Sequence, residues 1–221
     1  MAAFVLIHGG GDVGWYWHLV ERELRLAGHD TLAPDLPCDD DSAGLAEYAD
    51  TVVHAVGCRG NLVVAAQSFG GFTAPLVAAR IPVVVLALVA GMIPAPGEAP
   101  GDWPANTGFD QVMRQQAQRY AGQDLIYHDV PPALAEQARR RSRDQSDTPG
   151  YALWPLGAWP PVPTRFVLCT GDRFFPPEFM RRVVADRLGI VPDEIAAGHA
   201  VALSRPKELA GLLASYAATS R

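Results

Sequence analysis

Six short runs rich in Val, Ile and Leu alternate along this chain with stretches of helical periodicity. That rhythm constrains the fold more than any other feature. The runs cover residues 3–7, 31–34, 62–66, 83–89, 165–169 and, more weakly, 194–196. Between them Leu45, Tyr48, Ala49, Val52, Val53 and Val56 recur at the three-and-four spacing of one helix face. Leu209, Leu212, Leu213 and Tyr216 do the same, with Ser204 as the expected N-cap and Pro206 in the first turn. Strands that are apolar throughout are buried on both faces. The pattern therefore predicts an α/β fold: a mainly parallel sheet of about six strands, covered by helices on both faces.

One segment breaks the rhythm. Residues 94–163 contain no strand-like run, prolines gather at both ends, and three of the five tryptophans (Trp103, Trp154 and Trp159) lie within them. A structureless loop of that length does not suit a compact domain. The expectation is a small helical insertion with helices near 110–121 and 132–143, placed in chain order as a lid. The whole chain, 1–221, is then one domain, which agrees with its length and its 49% hydrophobic content.

Composition removes several classes. A formal charge of −6 argues against a nucleic-acid binder, which needs a basic face. The apolar run at 83–93 is too short for the roughly 20 residues of a membrane helix. The N-terminal run ends at His8 and lacks a basic leader, so it reads as a strand and not a secretion signal. Three scattered cysteines, Cys38, Cys58 and Cys169, suit neither disulfides nor a metal site, and a cytoplasmic location is expected. Arg139, Arg140, Arg141 and Arg143 form a basic cluster in the insertion. It reads chiefly as a solvated helix face, with attraction of an acidic substrate as the sharper alternative.

Four stretches carry chemistry. Ala66-Gln67-Ser68-Phe69-Gly70-Gly71 closes the third strand and opens a helix. A serine between small residues at that junction is a nucleophile elbow, although alone it reads equally well as a helix N-cap. His8-Gly9-Gly10-Gly11 follows the first strand, where glycines let backbone N–H groups point into a cavity. The glycine spacing of dinucleotide sites and the Gly-Lys-Ser/Thr of a P-loop are both missing. Asp172 follows the fifth strand in Cys169-Thr170-Gly171-Asp172-Arg173, and His199 follows the sixth in Gly198-His199-Ala200. Asp12, Asp35 and Asp193 are rival acids, but they follow other strands or lie in loops. His8 belongs with the structure of the glycine loop. His18, His29, His54 and His128 have no partners at metal-ligand spacing. Ser68, Asp172 and His199 each end a predicted strand, on the edge where open α/β sheets gather their sites.

At these residues the chain resembles the α/β-hydrolase superfamily, in the branch of plant methylesterases and hydroxynitrile lyases. The matching stretches are residues 4–17, 66–71, 172–177 and 198–208, so the insertion lies outside the resemblance. The resemblance implies Ser68 as nucleophile, His199 as general base, Asp172 as its supporting acid, and the backbone N–H groups of Gly10 and Phe69 as an oxyanion hole. Gly9, Trp103, Trp154 and Trp159 are expected to line the substrate pocket.

The leading expectation is hydrolysis of a small, partly apolar carboxylic ester through an acyl-serine, with no cofactor or metal and a small molecule as partner. No nucleic acid or membrane is expected, and an apolar lid face could pair two copies. Two alternatives stand beside it. The lyases of this branch typically carry a threonine and a lysine where this chain has Gly9 and Ala200. A hydrolase-fold ligand receptor with little turnover is the other.

Overall fold

The computed structural model describes residues 1–219, and these form one six-stranded sheet with every pairing parallel. Its strands are β1 (Ala3–Ile7), β2 (Asp30–Leu32), β3 (Leu62–Gln67), β4 (Val83–Val89), β5 (Thr164–Cys169) and β6 (Asp193–Ile195). All six expected runs are strands, with ends displaced by at most two residues. Their order across the sheet is β2-β1-β3-β4-β5-β6. The direction of winding reverses between β1 and β3, which makes their C-terminal ends the topological switch point.

Alternate side chains of each strand enter two separate cores. Val5, Ile7, Val64, Ala66, Leu86 and Leu88 face one layer, with Tyr48, Ala49 and Val52 of α2 (Leu45–Val56) and Phe72 and Leu76 of α3 (Gly70–Ala78). Phe4, Leu6, Val63, Ala65, Val85 and Ala87 face the other. There they meet Val20 and Leu24 of α1 (His18–Leu26) and Leu209 and Leu213 of the C-terminal helix. Helices on both faces follow from strands with no polar side, as the composition of the runs predicts.

Residues 94–163 carry four helices and no strand: α4 (Trp103–Thr107), α5 (Phe109–Arg119), α6 (Pro132–Arg141) and α7 (Thr148–Tyr151). After β5 come α8 (Pro177–Leu188), α9 (Val201–Ser204) and α10 (Pro206–Thr219). Ser204 does not cap α10. It is the last residue of α9, and its Oγ is buried without a hydrogen-bond partner among the described residues. The cause is that the chain is already helical from Val201, which puts Ser204 inside a helical turn. No described helix is long and apolar enough to cross a membrane.

Candidate active site

The sharp turn after β3 holds Ser68 at φ +50°, a left-handed backbone that a non-glycine residue adopts only under constraint. The constraint comes from packing just beyond it. A Cβ added to Gly71 would lie 2.0 Å from the Met92 carbonyl oxygen, so the start of α3 can press against the segment after β4 only as glycine. The elbow expected from the motif is therefore a property of this backbone.

Asp172 and His199, from the ends of β5 and β6, meet with Oδ2 2.8 Å from Nδ1. Both are buried. The other carboxylate oxygen of Asp172 accepts the N–H groups of Phe174 at 2.8 Å and Phe175 at 2.9 Å. A carboxylate held this way offers only acceptors, so the imidazole proton sits on Nδ1 and Nε2 carries a lone pair. That lone pair is already engaged. The side-chain Nε2 of Gln67 donates to His199 Nε2 at 2.9 Å, and no hydrogen bond joins Ser68 Oγ to His199 among the described residues. Gly9 makes room for this contact, since a Cβ there would come within 2.4 Å of Gln67 Oε1.

A cavity of about 280 Å³ opens over this group and is lined by Ser68, His199, Gly9, Gly10, Gln67 and Phe69. Gly10 and Phe69 lie in no helix or strand, and neither backbone N–H has an acceptor among the described residues. Two unpaired donors thus flank the serine. The glycine loop is pinned from outside: Gly11 N–H donates to Gln145 Oε1 at 3.0 Å, and Arg143 N–H donates to the Gly11 carbonyl at 2.8 Å. His8 works within the loop. Its Nδ1 donates to the Gly9 carbonyl at 2.8 Å and its Nε2 accepts Leu36 N–H at 2.9 Å, while burial pulls its pKa below the ordinary value.

The helical segment supplies Pro104, Phe109, Ile126 and Tyr127 to the cavity wall. The three tryptophans expected there stand elsewhere. Trp103 and Trp154 are core residues whose indole N–H groups donate to the carbonyls of Ile93 and Phe72 at 3.0 and 3.1 Å. Trp159 donates to Thr164 Oγ1 at 2.9 Å. A buried indole N–H needs an acceptor, and these backbone and hydroxyl oxygens draw the rings beneath the segment and away from the cavity. Only Gly9 of the four expected pocket residues lines it.

Sequence reasoning missed Gln67, Gln145 and Asp129. Asp129 Oδ2 accepts the N–H of Gly198 at 2.7 Å, and His128 Nε2 lies 3.1 Å from the Gly171 carbonyl. The helical segment thereby grips the residues just before both His199 and Asp172. Nothing in the local sequence signals these partners, which come from segments 134 and 69 residues away. The arginine cluster is largely self-neutralised. Arg139 pairs with Asp124, Arg140 with Glu136 and Arg143 with Asp35 and Asp39, while Arg141 lies over the Trp15 ring. Among the described residues no group of three or more His, Cys, Asp or Glu could hold a metal ion.

A family model described as "Alpha/beta hydrolase family" matches residues 4–212. No curated protein matches the sequence. Solved structures do match in fold. Polyneuridine aldehyde esterase superposes with a TM-score of 0.81 at 20% identity, over 97% of this chain and 98% of that one. An extracellular alpha/beta-hydrolase from a Paenibacillus species, described as sharing structural and functional homology with tobacco salicylic acid binding protein 2, gives 0.78 at 19%, over 98% and 99%. Tomato methylketone synthase I, complexed with 2-tridecanone, gives 0.75 at 15%, over 100% and 99%.

Proposed function

This chain belongs to the alpha/beta hydrolase family, and from that premise we propose that it is a serine hydrolase acting on a small, partly apolar carboxylic ester. The observation that carries the reading is the strained Ser68 in one cavity with His199, whose Nδ1 is 2.8 Å from Asp172. Esterases among proteins of similar fold agree with it, as does the likeness to the methylesterase branch.

In this reading Ser68 Oγ attacks the ester carbonyl carbon and its proton passes to His199 Nε2. Gln67 must give up that nitrogen as the proton arrives. The carbonyl electrons move onto oxygen, to which the N–H groups of Gly10 and Phe69 would donate hydrogen bonds. Losing one such donor typically costs ~10²–10³ in rate. Asp172 stabilises the imidazolium that forms. Collapse expels the alcohol, which takes its proton from His199, and leaves an acyl-serine. Water, deprotonated by His199, then attacks the acyl carbon and releases the acid and Ser68. No step calls on a cofactor. Cyanohydrin cleavage is less well served, because no lysine or arginine lines the cavity among the described residues to receive a departing cyanide.

The test is a panel of nitrophenyl esters with acyl chains from two to twelve carbons, run with wild type and Ser68→Ala. Multiple turnovers that vanish in Ser68→Ala are expected, with a preference for short chains that suit the cavity. Equal activity in the two proteins would remove Ser68 as nucleophile. A burst of one equivalent with retained product would favour the receptor alternative.

A further inference from the structure

Asp12 follows the glycine loop, supports no part of the Ser68–His199–Asp172 group, and yet lines the same cavity. One of its oxygens accepts the Val13 N–H at 2.8 Å. The other has no hydrogen-bond donor among the described residues. Around the cavity stand the rings of Tyr16, Phe69, Phe109, Tyr127 and Phe174, with no lysine or arginine among the described residues lining it to offset the carboxylate. Burial, despite the Val13 bond and with help from the charge of Asp35, raises the Asp12 pKa to about 6. Asp12 is half-buried at the cavity wall, and a carboxylate partly shielded from water without a cationic neighbour is costly. Aromatic faces attract cations. The two features call for the same missing partner.

We propose that Asp12 and the aromatic rings lining the same cavity select esters that carry a protonated or quaternary amine. The inference rests on the ester-hydrolase reading of this site and names its substrate class. The cation would neutralise the carboxylate while the rings receive its alkyl groups, leaving the ester carbonyl to reach Ser68.

The experiment compares isosteric pairs that differ only in charge, at mildly alkaline pH. Choline butyrate against 3,3-dimethylbutyl butyrate probes the alcohol side. The nitrophenyl esters of 4-(trimethylammonio)butanoate and 5,5-dimethylhexanoate probe the acyl side. In wild type one pair is expected to favour the cation in kcat/KM by roughly tenfold or more. In Asp12→Asn that ratio should fall several-fold, to the small preference that the rings alone supply. Asparagine keeps an acceptor for Val13 N–H, and a ratio measured within one preparation cancels any general loss of activity. Calorimetric binding of the same esters to Ser68→Ala reads the preference without chemistry. Absence of any cation preference in wild type, or its undiminished persistence in Asp12→Asn, would overturn the proposal. Preferential binding of the cationic ester through Asp12, with no turnover by wild type, would instead retain cation selection and remove the hydrolase reading.

Discussion

Gln67 stands where, in the proposed mechanism, the base would meet the nucleophile. Among the described residues its amide N–H alone holds His199 Nε2 in hydrogen-bond contact, and the space for it exists because residue 9 has no side chain. The contact suits a neutral imidazole, to which an amide can donate. A carboxylate at this position could only accept. It would hold a second proton on the ring, which already faces Asp172, and an imidazolium between two carboxylates cannot take the serine proton. Gln67→Glu is therefore expected to lower kcat/KM by ~10²–10⁴, the usual worth of general-base catalysis. Near-UV circular dichroism should remain that of the folded protein. Activity within a few-fold of wild type would show that Gln67 leaves the base free before the proton moves. The serine was legible from the small residues around it, since a tight elbow excludes larger ones. Gln67 was not, because its role exists only once the ends of β3 and β6 are side by side.

At the scale of elements, the site depends on how the helical segment is fastened to the sheet. Glu98, near its start, forms a two-pronged ion pair with Arg187 of α8, with Oε1 2.7 Å from Nη2 and the carboxylate almost fully buried. Burial alone would raise the pKa of Glu98. The hydrogen bonds from Arg187, Asn106 and the Ala95 N–H outweigh it and hold the carboxyl below its ordinary 4.5. A depressed carboxyl stabilises the fold above its unfolded pKa, and the contribution disappears as pH falls through the folded value. Glu98→Gln should then cost about 3 kcal/mol at neutral pH, because it leaves the half-buried Arg187 charge without its carboxylate. The gap to wild type should narrow in acid. Urea denaturation at several pH values measures both, and a gap independent of pH would assign the loss to packing. Helicity in this segment followed from its lack of strand-like runs and its length. The direction in which its tryptophans face did not, since that depends on which carbonyl oxygens they reach.

For the molecule as a whole, Asp12 sets selectivity against stability. Its pKa stands at about 6, raised from 3.8 chiefly by burial. The folded state binds this proton more tightly than the unfolded chain does. Stability from this group is complete below about 3.8, declines as pH rises, and is lost once pH exceeds about 6. Asp12→Asn removes a half-buried charge and should stabilise the protein by about 2 kcal/mol at neutral pH, raising Tm by several degrees. In mild acid, below the wild-type transition, the gain should vanish. Thermal melts of both proteins across that range check the sign, and an Asn variant less stable than wild type at neutral pH would show that the carboxylate is already paired. Lost cation preference together with gained stability would be the signature of a residue kept for binding.

The sequence alone carried the layers, the six strands and the sheet edge proposed for the chemistry. Those depend on local periodicity and on small residues at sharp turns, both of which can be read within a few positions. It also marked Ser68, Asp172 and His199, because each follows a strand and parallel strands bring their C-terminal ends together. Only the packing chose what engages His199 Nε2, which aromatic rings wall the cavity and why Asp12 has no cationic partner among the described residues. The Gln67–His199 contact spans 132 residues and the Gly11–Gln145 contact 134. At such separations the partner is chosen by the packing of helices on the sheet. That packing gives weight to the Gln67 contact and to an Asp12 oxygen with no donor among the described residues.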